Sequence, residues 1–336
     1  MVTAVSIPQG VWAQSDTPRG ATWVTDGEVR AIAEDGGTVY IGGMFTHVGP
    51  HTGSAVPLDA STGQIAAAFP RVDGIVYACV FDGLGGWYIG GGFSRVGGLP
   101  RNRIAHILPD GSVDAVWDAN ADDTVYALAI SGSTVYAGGV FLNIGGKARN
   151  HIAALNAATG AAMSWNPNAD DTVYSLVVSG SIVYAGGSFT RIGAKTRNCI
   201  AALDAATGAA TGWNPSATAG DAVYCLAVSG STVYAGGYFT SIGGEARNCI
   251  AALDAATGAA TAWNPSANNS VYSLDVSGAT VYAGGTFTSI GGQTRNRIAA
   301  LDAATGEATG WNPNATTGWV DCLAVSSSTV YAGGTF

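Results

Sequence analysis

The sequence has little charge, and lysine is almost absent from it. Charged residues make up 11% of the 336 residues, and the only lysines are Lys147 and Lys195. A disordered chain has much charge and few apolar residues, whereas 47% of these residues are hydrophobic. No uninterrupted apolar run reaches the ~18 residues of a membrane-spanning helix. The composition therefore excludes a disordered chain and predicts no membrane insertion.

Basic segments are also missing. The 23 acidic residues outnumber the 14 basic ones, which gives a net charge of −9. Because nucleic-acid-binding proteins present basic patches, nucleic acid is not expected as a partner. Residues 1–10 hold neither a basic segment nor a long apolar one, so no signal peptide is predicted in this chain.

Residues that bind metals or carry redox chemistry are scarce. The five cysteines are an odd number with no Cys-x-x-Cys pair, so we interpret them as small tolerated side chains. His47 and His51 share one loop, and their spacing would suit zinc only on a helix, which is not predicted there. We expect no metal site and no cofactor.

Internal repetition is what the chain has in abundance. The string Tyr-(Ala/Ile)-Gly-Gly recurs at intervals of 48 to 50 residues, and its tyrosines are Tyr40, Tyr88, Tyr136, Tyr184, Tyr234, Tyr282 and Tyr331. The unit of residues 172–217 contains four short apolar segments. A Ser-Gly turn joins the first two, and Asp204–Gly208 joins the last two, with the aspartate accepting backbone N–H bonds.

These segments are predicted to be strands that are covered on both faces. The segment of residues 173–178 is expected to alternate, with Tyr174, Leu176 and Val178 on one face and the other three residues on the opposite face. Both sets are largely apolar, and radial stacking of small sheets covers both faces of every sheet at once. The sequence therefore predicts an all-β fold, a seven-bladed β-propeller of four-stranded antiparallel blades.

The two ends of the chain are predicted to complete one blade together. Residues 319–336 contain only two strands of the last unit, and residues 16–20 resemble the turn that precedes the fourth strand elsewhere. Strands at about residues 10–15 and 21–25 would then close the ring. We expect residues 1–336 to form one domain, with repeats from about residue 27, and a monomer.

One stretch of the chain resembles a known repeat. Residues 101–114, with the Gly-Gly-Gly-Phe string that ends at Phe93, resemble the bacterial delta-sixty repeat. The likeness extends from about residue 27 onward. It implies a propeller array of bacterial surface type, a family without one assigned activity.

A second resemblance concerns tryptophan. The pattern Ala-Leu-Asp-Ala-x-Thr-Gly followed by Trp is similar to the tryptophan-docking motif of quinoprotein-like propellers. That likeness implies a structural role at the blade junctions for Trp117, Trp165, Trp213, Trp263 and Trp311. Quinone-dependent members carry adjacent cysteines, which are lacking here, so the likeness implies a scaffold without the cofactor.

Carboxylates give no catalytic pair in the sequence. Asp275 and Asp321 are predicted to stand alone on first strands that line the central channel. A glycosidase needs two carboxyl groups within ~5–10 Å of each other. We therefore expect that the protein is not an enzyme.

Binding is predicted on one rim of the propeller. The segments between second and third strands and those entering each first strand emerge on the same face, which we call the long-loop face. It carries the loop of His47 and His51 and a recurring arginine, for which pairing with a nearby carbonyl or carboxylate is the favoured interpretation. These arginines are Arg101, Arg149, Arg197, Arg247 and Arg295.

The function predicted from these features is a non-enzymatic binding or display scaffold. It would be a module of a bacterial surface or secreted protein, and its partner an unknown protein or glycan on the long-loop face. A multivalent carbohydrate-binding lectin is the first alternative and a glycan-active hydrolase is the second. Residues 198–217 and 248–267 differ at one position only, which indicates recent duplication of the units.

Overall fold

All regular structure in the described part of the chain is β. The computed structural model describes residues 3–5, 25, 27–35, 38–45, 54–59, 62, 69–218, 220–326 and 329–336. Within these residues the strands form seven antiparallel sheets of three or four strands and four two-stranded hairpins. We number the seven sheets 1 to 7 by the chain order of their first strands.

Each sheet is built in the same way, with the second strand in the middle. The first strands are Glu28–Asp35, Val72–Phe81, Val125–Ser131, Val173–Ser179, Ala222–Ser229, Val271–Ser277 and Val320–Ser326. The second strands are Thr38–Met44, Trp87–Val96, Thr134–Gly139, Ile182–Gly187, Thr232–Tyr238, Thr280–Gly285 and Thr329–Gly334. The third strands are Ala55–Asp59, Ile104–Ile107, Ile152–Asn156, Ile200–Asp204, Ile250–Asp254, Ile298–Asp302 and, in sheet 7, Thr3–Val5.

The two turns predicted within each unit are confirmed in sheet 4. Ser179 pairs with Ile182 across a two-residue turn in which Gly180 has a φ of 59°. Asp204 accepts hydrogen bonds from the backbone N–H of Ala206 and Thr207. The short side chain of the aspartate thus replaces backbone partners that the tight turn cannot supply.

The predicted fourth strand is reduced to a single bridge. Leu203 bridges Ala210, and the same isolated bridge recurs in sheets 3, 5 and 6. The segment then leaves the sheet edge toward the tryptophan of its unit. The number of strands per blade therefore stays a prediction.

The segments after the second strands are ordered hairpins rather than open loops. They consist of paired two-residue strands in sheets 3 to 6: Asn143–Ile144 with Lys147–Ala148, Arg191–Ile192 with Lys195–Thr196, Ser241–Ile242 with Glu245–Ala246, and Ser289–Ile290 with Gln293–Thr294. In sheet 2, Leu99–Pro100 pairs with the end of the long second strand. A tight turn of two residues closes each hairpin because a glycine with positive φ begins it.

The core lies between the sheets. Val173 and Leu176 of sheet 4 pack on sheet 3, whereas Val177 packs on sheet 5. An equivalent cluster joins sheet 7 to sheet 1, where Cys322 and Tyr331 pack with residues such as Val29. Each sheet is therefore covered on both faces, as a propeller-like fold requires.

The side-chain alternation predicted for the first strand is wrong at its beginning. The register of sheet 4 shifts between Val173 and Ser175, which makes Tyr174 the extra residue of a β-bulge. Val173 consequently joins Leu176 and Val178 against sheet 3, and Tyr174 leaves this face. A bulge has this effect because its extra residue has no partner in the ladder.

The Gly-Gly pair of each unit faces this bulge. A Cβ on Gly187 would collide with the carbonyl oxygen of Thr172, and one on Gly186 would lie 2.8 Å from Cγ1 of Val223 in the next sheet. Only glycine therefore fits at both positions of the pair, where the backbone of the bulge and the next sheet come close.

The N-terminal segment contributes to the last sheet. Thr3–Val5 pairs antiparallel with the second strand of sheet 7, with Ala4 opposite Tyr331. The strands predicted at residues 10–15 and 21–25 lie outside the described residues, apart from Thr25. His47 and His51 also lie outside them.

Candidate functional site

The β-bulge of the first strand recurs at the same position in all seven sheets. It falls on Arg30, Tyr77, Tyr126, Tyr174, Tyr224, Tyr272 and Asp321. We call these seven residues the bulge ring. A bulge redirects a side chain out of the regular pleat, and here it does so once per sheet.

The five tyrosines of the bulge ring form a continuous arc. Their ring centroids lie 5.0 Å apart between Tyr77 and Tyr126, and 5.5 to 5.6 Å apart for the following pairs up to Tyr272. Most of the pairs meet edge to face, the arrangement that aromatic quadrupoles favour. First strands of successive sheets contact one another, so the arc lies along the centre of the assembly.

Charged residues occupy the two remaining positions of the bulge ring. The guanidinium of Arg30 lies 5.2 Å from the centroid of the Tyr77 ring and forms an ion pair with Glu28. The indole Nε1–H of Trp319 lies 3.2 Å from Oε1 of Glu28 and 3.0 Å from Oδ2 of Asp321. We call Glu28, Arg30, Trp319 and Asp321 the junction cluster, because it joins sheet 7 to sheet 1.

The two carboxyl groups of the junction cluster interact with each other through a hydrogen bond and through charge. Burial, followed by the hydrogen bond and the negative charge of Glu28, raises the pKa of Asp321 to about 8. Burial by itself would raise the pKa of Glu28, but the hydrogen bond with Asp321 and the charge of Arg30 lower it. Asp321 is thus the weaker acid of the pair, and the carboxylate of Glu28 is paired with Arg30.

The junction cluster opens to solvent beside two apolar side chains. Trp319 is 41% exposed and Met44 is 48% exposed. Met44 is the cross-strand partner of Glu28, so both side chains stand on the same face of sheet 1. Apolar and carboxyl groups therefore meet at one accessible place.

The expectation that Asp275 and Asp321 stand alone is wrong for Asp321. Asp321 has Glu28 as its partner. Asp275 accepts hydrogen bonds from the backbone N–H of Val276 and, at 2.6 Å, of Val325 in sheet 7. It thus links two sheets, as Ser175 does by accepting from Leu226 of sheet 5.

The recurring arginines have backbone partners. In Arg197 one guanidinium nitrogen donates to the carbonyl of Thr196 at 2.8 Å and another to that of Thr211 at 2.6 Å. The same two bonds recur at Arg101, Arg149, Arg247 and Arg295. Each arginine joins its hairpin to the fourth segment of its own unit, and Arg197 is only 7% exposed.

The recurring tryptophans lie between units. Trp213 is 5% exposed, meets Tyr184 edge to face, and donates from Nε1 to the carbonyl of Asp254 in the next unit at 2.9 Å. Trp117, Trp165 and Trp263 make the equivalent bond, and Trp311 is also buried. The docking role that the motif implies stays a prediction.

Segments of the long-loop face contact one another directly. Asp122 precedes the first strand of sheet 3 and accepts hydrogen bonds from Leu142 and Asn143 after its second strand. Beside it, an open cleft of about 520 Å³ lies between sheets 2 and 3 and is lined by polar residues such as Asn102 and Lys147. The face is therefore an ordered, polar surface.

One buried polar cluster was not found from the sequence. His106 lies between Asp114, 2.9 Å from Nδ1, and Asp82, 3.2 Å from Nε2, and its ring stacks on Tyr88. Burial opposes the ionised form of Asp114, but the bonds from His106 and from two backbone groups lower the pKa of this carboxyl. The signal available was that the units of sheets 3 to 6 have alanine where this unit has His106, for example Ala154.

Metal ligands do not cluster in the described residues, where no group of three or more His, Cys, Asp or Glu side chains could hold an ion. The five cysteines are free thiols, and burial raises the pKa of Cys199 to about 11. In the same part of the chain no helix is long and apolar enough to cross a membrane.

Comparison with solved structures shows the fold. The computationally designed Ika8 protein superposes with a TM-score of 0.59 at 17% identity, covering 94% of this chain and 97% of its own. The WD40 β-propeller domain of Doa1 superposes with a TM-score of 0.62 at 12% identity, covering 94% and 96%. At such identity the likeness concerns the propeller-like fold alone. No curated protein matches the chain.

Two family models match the sequence. A β-propeller domain of unknown function (DUF5122) matches residues 85–115. The model described as outer membrane protein assembly factor BamB matches residues 109–334, which is more than half of the chain. Both support a repeat family of the β-propeller type. By its sequence, its repeats and its all-β sheets, the chain belongs to the family described as outer membrane protein assembly factor BamB.

Proposed function

We propose that the protein is a seven-bladed β-propeller that acts as a non-enzymatic binding or display scaffold through its long-loop face. The observation that carries this proposal is where the near-identical units differ. In sheets 3 to 6 the residue after the Gly-Gly pair is Val140, Ser188, Tyr238 or Thr286; Tyr238 is 56% exposed and the other three are half-buried. The hairpin tips differ likewise. A constant framework with variable exposed positions on one face is typical of a binding surface.

Ring closure is supported by contacts between first and last sheets. The first strands contact one another in the order of sheets 1 to 7, and that of sheet 7 contacts that of sheet 1. A ring of this kind leaves no long open sheet edge. The buried tryptophans between units fit a docking role in it.

The hydrolase alternative is weakened by the distance between the carboxyl groups. Glu28 and Asp321 are in hydrogen-bond contact. A glycosidase of the retaining type needs about 5–5.5 Å between its two carboxyl groups, and an inverting one needs more. A binding role uses no such separation.

The setting we propose is the bacterial cell surface or exterior, as a module of a larger protein or on its own. The Ala-, Gly-, Ser- and Thr-rich composition with two lysines supports it. The family described as outer membrane protein assembly factor BamB is compatible with binding of a protein.

The test is a screen on a glycan array and on a peptide array, followed by face-specific variants. One variant carries Tyr238→Ser, Glu245→Ser and Gln293→Ser on the long-loop face. Its matched control carries Ala206→Ser, Ala256→Ser and Ala304→Ser in the exposed turns of the opposite face. We expect a ligand of the parent protein to be lost from the first variant and kept by the control.

Two results would contradict the proposal. One is a ligand that is lost from the control and kept by the long-loop variant. The other is the absence of any ligand on both arrays. Binding that is confined to glycans and needs calcium would instead favour the lectin alternative.

A further inference from the structure

The bulge ring departs from its pattern at one place, the junction of sheets 7 and 1. Five sheets contribute tyrosine to the ring, whereas sheet 1 contributes Arg30 and sheet 7 contributes Asp321. Trp319 precedes the first strand of sheet 7, where the equivalent residues of sheets 3 and 4 are threonines, Thr124 and Thr172. A carboxyl pair, an indole and a thioether thus meet where the seven units are least alike.

The contacts of Arg30 indicate which chemical group binds beside the bulge ring. Arg30 places its guanidinium over the face of Tyr77 and against the carboxylate of Glu28. An aromatic face next to a carboxylate binds a planar cation by cation–π attraction and charge-assisted hydrogen bonds. An aromatic ring and a carboxyl group come together again at Trp319 and Asp321, where the indole Nε1–H donates to Oδ2 of Asp321.

We propose that the junction cluster, together with Met44, binds the side chain of an arginine in a basic peptide segment of a partner protein. The guanidinium would contact Asp321 and Glu28, and its apolar stem would pack on Trp319 and Met44. The net charge of −9 favours a basic partner. Arginine fits better than lysine because its planar group stacks on indole and donates two parallel bonds to a carboxylate. This inference rests on the proposed binding function of the long-loop face.

Binding of the arginine side chain is expected to release a proton from the junction cluster. Because the pKa of Asp321 is raised, an arriving guanidinium favours loss of the Asp321 proton. The Asp321 carboxyl group becomes a carboxylate paired with the ligand, and the proton passes to the buffer. Arginine itself stays protonated throughout.

The experiment is calorimetric titration of the full chain at pH about 7 with an amidated peptide of alternating glycine and arginine. The control peptide has citrulline, a neutral isostere, at each arginine position. We expect the arginine peptide to bind at least about tenfold more tightly than the citrulline peptide. The heat measured in buffers of different ionisation enthalpy should show release of a proton.

Two variants locate the site. Asp321→Asn resembles the protonated carboxyl group, so it should keep the fold and weaken binding of the arginine peptide by about tenfold or more. Asp35→Asn removes an exposed carboxylate at the opposite end of the first strand that carries Glu28, and it should leave binding unchanged. Thermal unfolding of both variants shows whether the fold is retained.

Equal affinity for the arginine and citrulline peptides would overturn the inference, as would unchanged affinity of Asp321→Asn or release of no proton. Loss of affinity by Asp35→Asn equal to that of Asp321→Asn would overturn it too, because binding would then follow the net charge of the protein. Each of these results leaves the array test of the long-loop face unaffected, so the two proposals fail separately.

Discussion

Tryptophan residues have two different roles in this protein. Trp213 is enclosed between two units and hydrogen-bonded to the backbone of the second unit. Trp319 is 41% exposed and its indole contacts two carboxyl groups. Burial and hydrogen-bond partner therefore distinguish a packing tryptophan from a surface one.

Substitution of these two tryptophans should separate stability from binding. Trp213→Ala leaves a cavity between units and should lower the free energy of unfolding by ~3–5 kcal/mol, as measured in urea. Trp319→Ala, the matched control, should lower it by less than ~1 kcal/mol. Peptide affinity well below the melting temperature should be unchanged in Trp213→Ala. Equal losses of stability in the two variants would contradict these roles.

At the scale of the elements, the turn that follows each third strand depends on one side chain that accepts hydrogen bonds from the backbone. Asp204, Asp254 and Asp302 accept hydrogen bonds from the residues two and three positions ahead. Sheet 3 has Asn156 at this place, and its amide oxygen accepts the same bonds. The turn thus needs the acceptor oxygen rather than the negative charge.

The turn aspartates should make stability depend on pH, and asparagine should remove that dependence. The bonds from Thr207 lower the pKa of Asp204, and equivalent bonds lower those of Asp254 and Asp302. A lowered folded-state pKa gives stability that is present above the unfolded-state value of about 4 and is lost as pH falls through the folded-state value.

The triple variant Asp204→Asn, Asp254→Asn and Asp302→Asn tests this expectation. Its melting temperature should match that of the parent at pH about 6 and should fall less steeply toward pH about 3. Differential scanning calorimetry of both proteins measures this. A variant that is already destabilised at pH about 6 would show that the charge itself stabilises the turn.

At the scale of the whole molecule, the first and last parts of the chain form one packed unit. Thr3–Val5 pairs with Thr329–Gly334, and the faces of sheets 7 and 1 bury Val29 and Tyr331 between them. The residues of the second strand that face this N-terminal strand are almost completely buried. The stability of the assembly should therefore depend on both ends.

Deletion of residues 1–25 should expose the edge of the second strand of sheet 7. We expect a fall in melting temperature of at least ~5 °C and aggregation, because an uncovered apolar strand edge pairs with other chains. Light scattering and thermal unfolding measure these effects. A truncated protein as stable and monomeric as the parent would contradict the role of this strand.

Local features of the fold could be derived from the residues alone. The Ser-Gly turns, the Asp204 turn and the strands between them follow from short-range chemistry, in which neighbouring residues determine φ, ψ and hydrogen bonds. The 48 to 50-residue period indicated repeated sheets covered on both faces. The favoured interpretation of the arginines, pairing with a nearby carbonyl, also agrees with the structure.

The residues of the candidate site come together only in the folded molecule, so the sequence alone did not reveal the site. No local pattern indicated that the bulge would redirect Tyr174, since the strand alternates apolar residues with or without it. Glu28 and Asp321 are far apart in the sequence, and each looks like an isolated charge beside its own neighbours. They meet because the packing of sheet 7 on sheet 1 brings the two strands together, and the interaction between their carboxyl groups arises only from that contact.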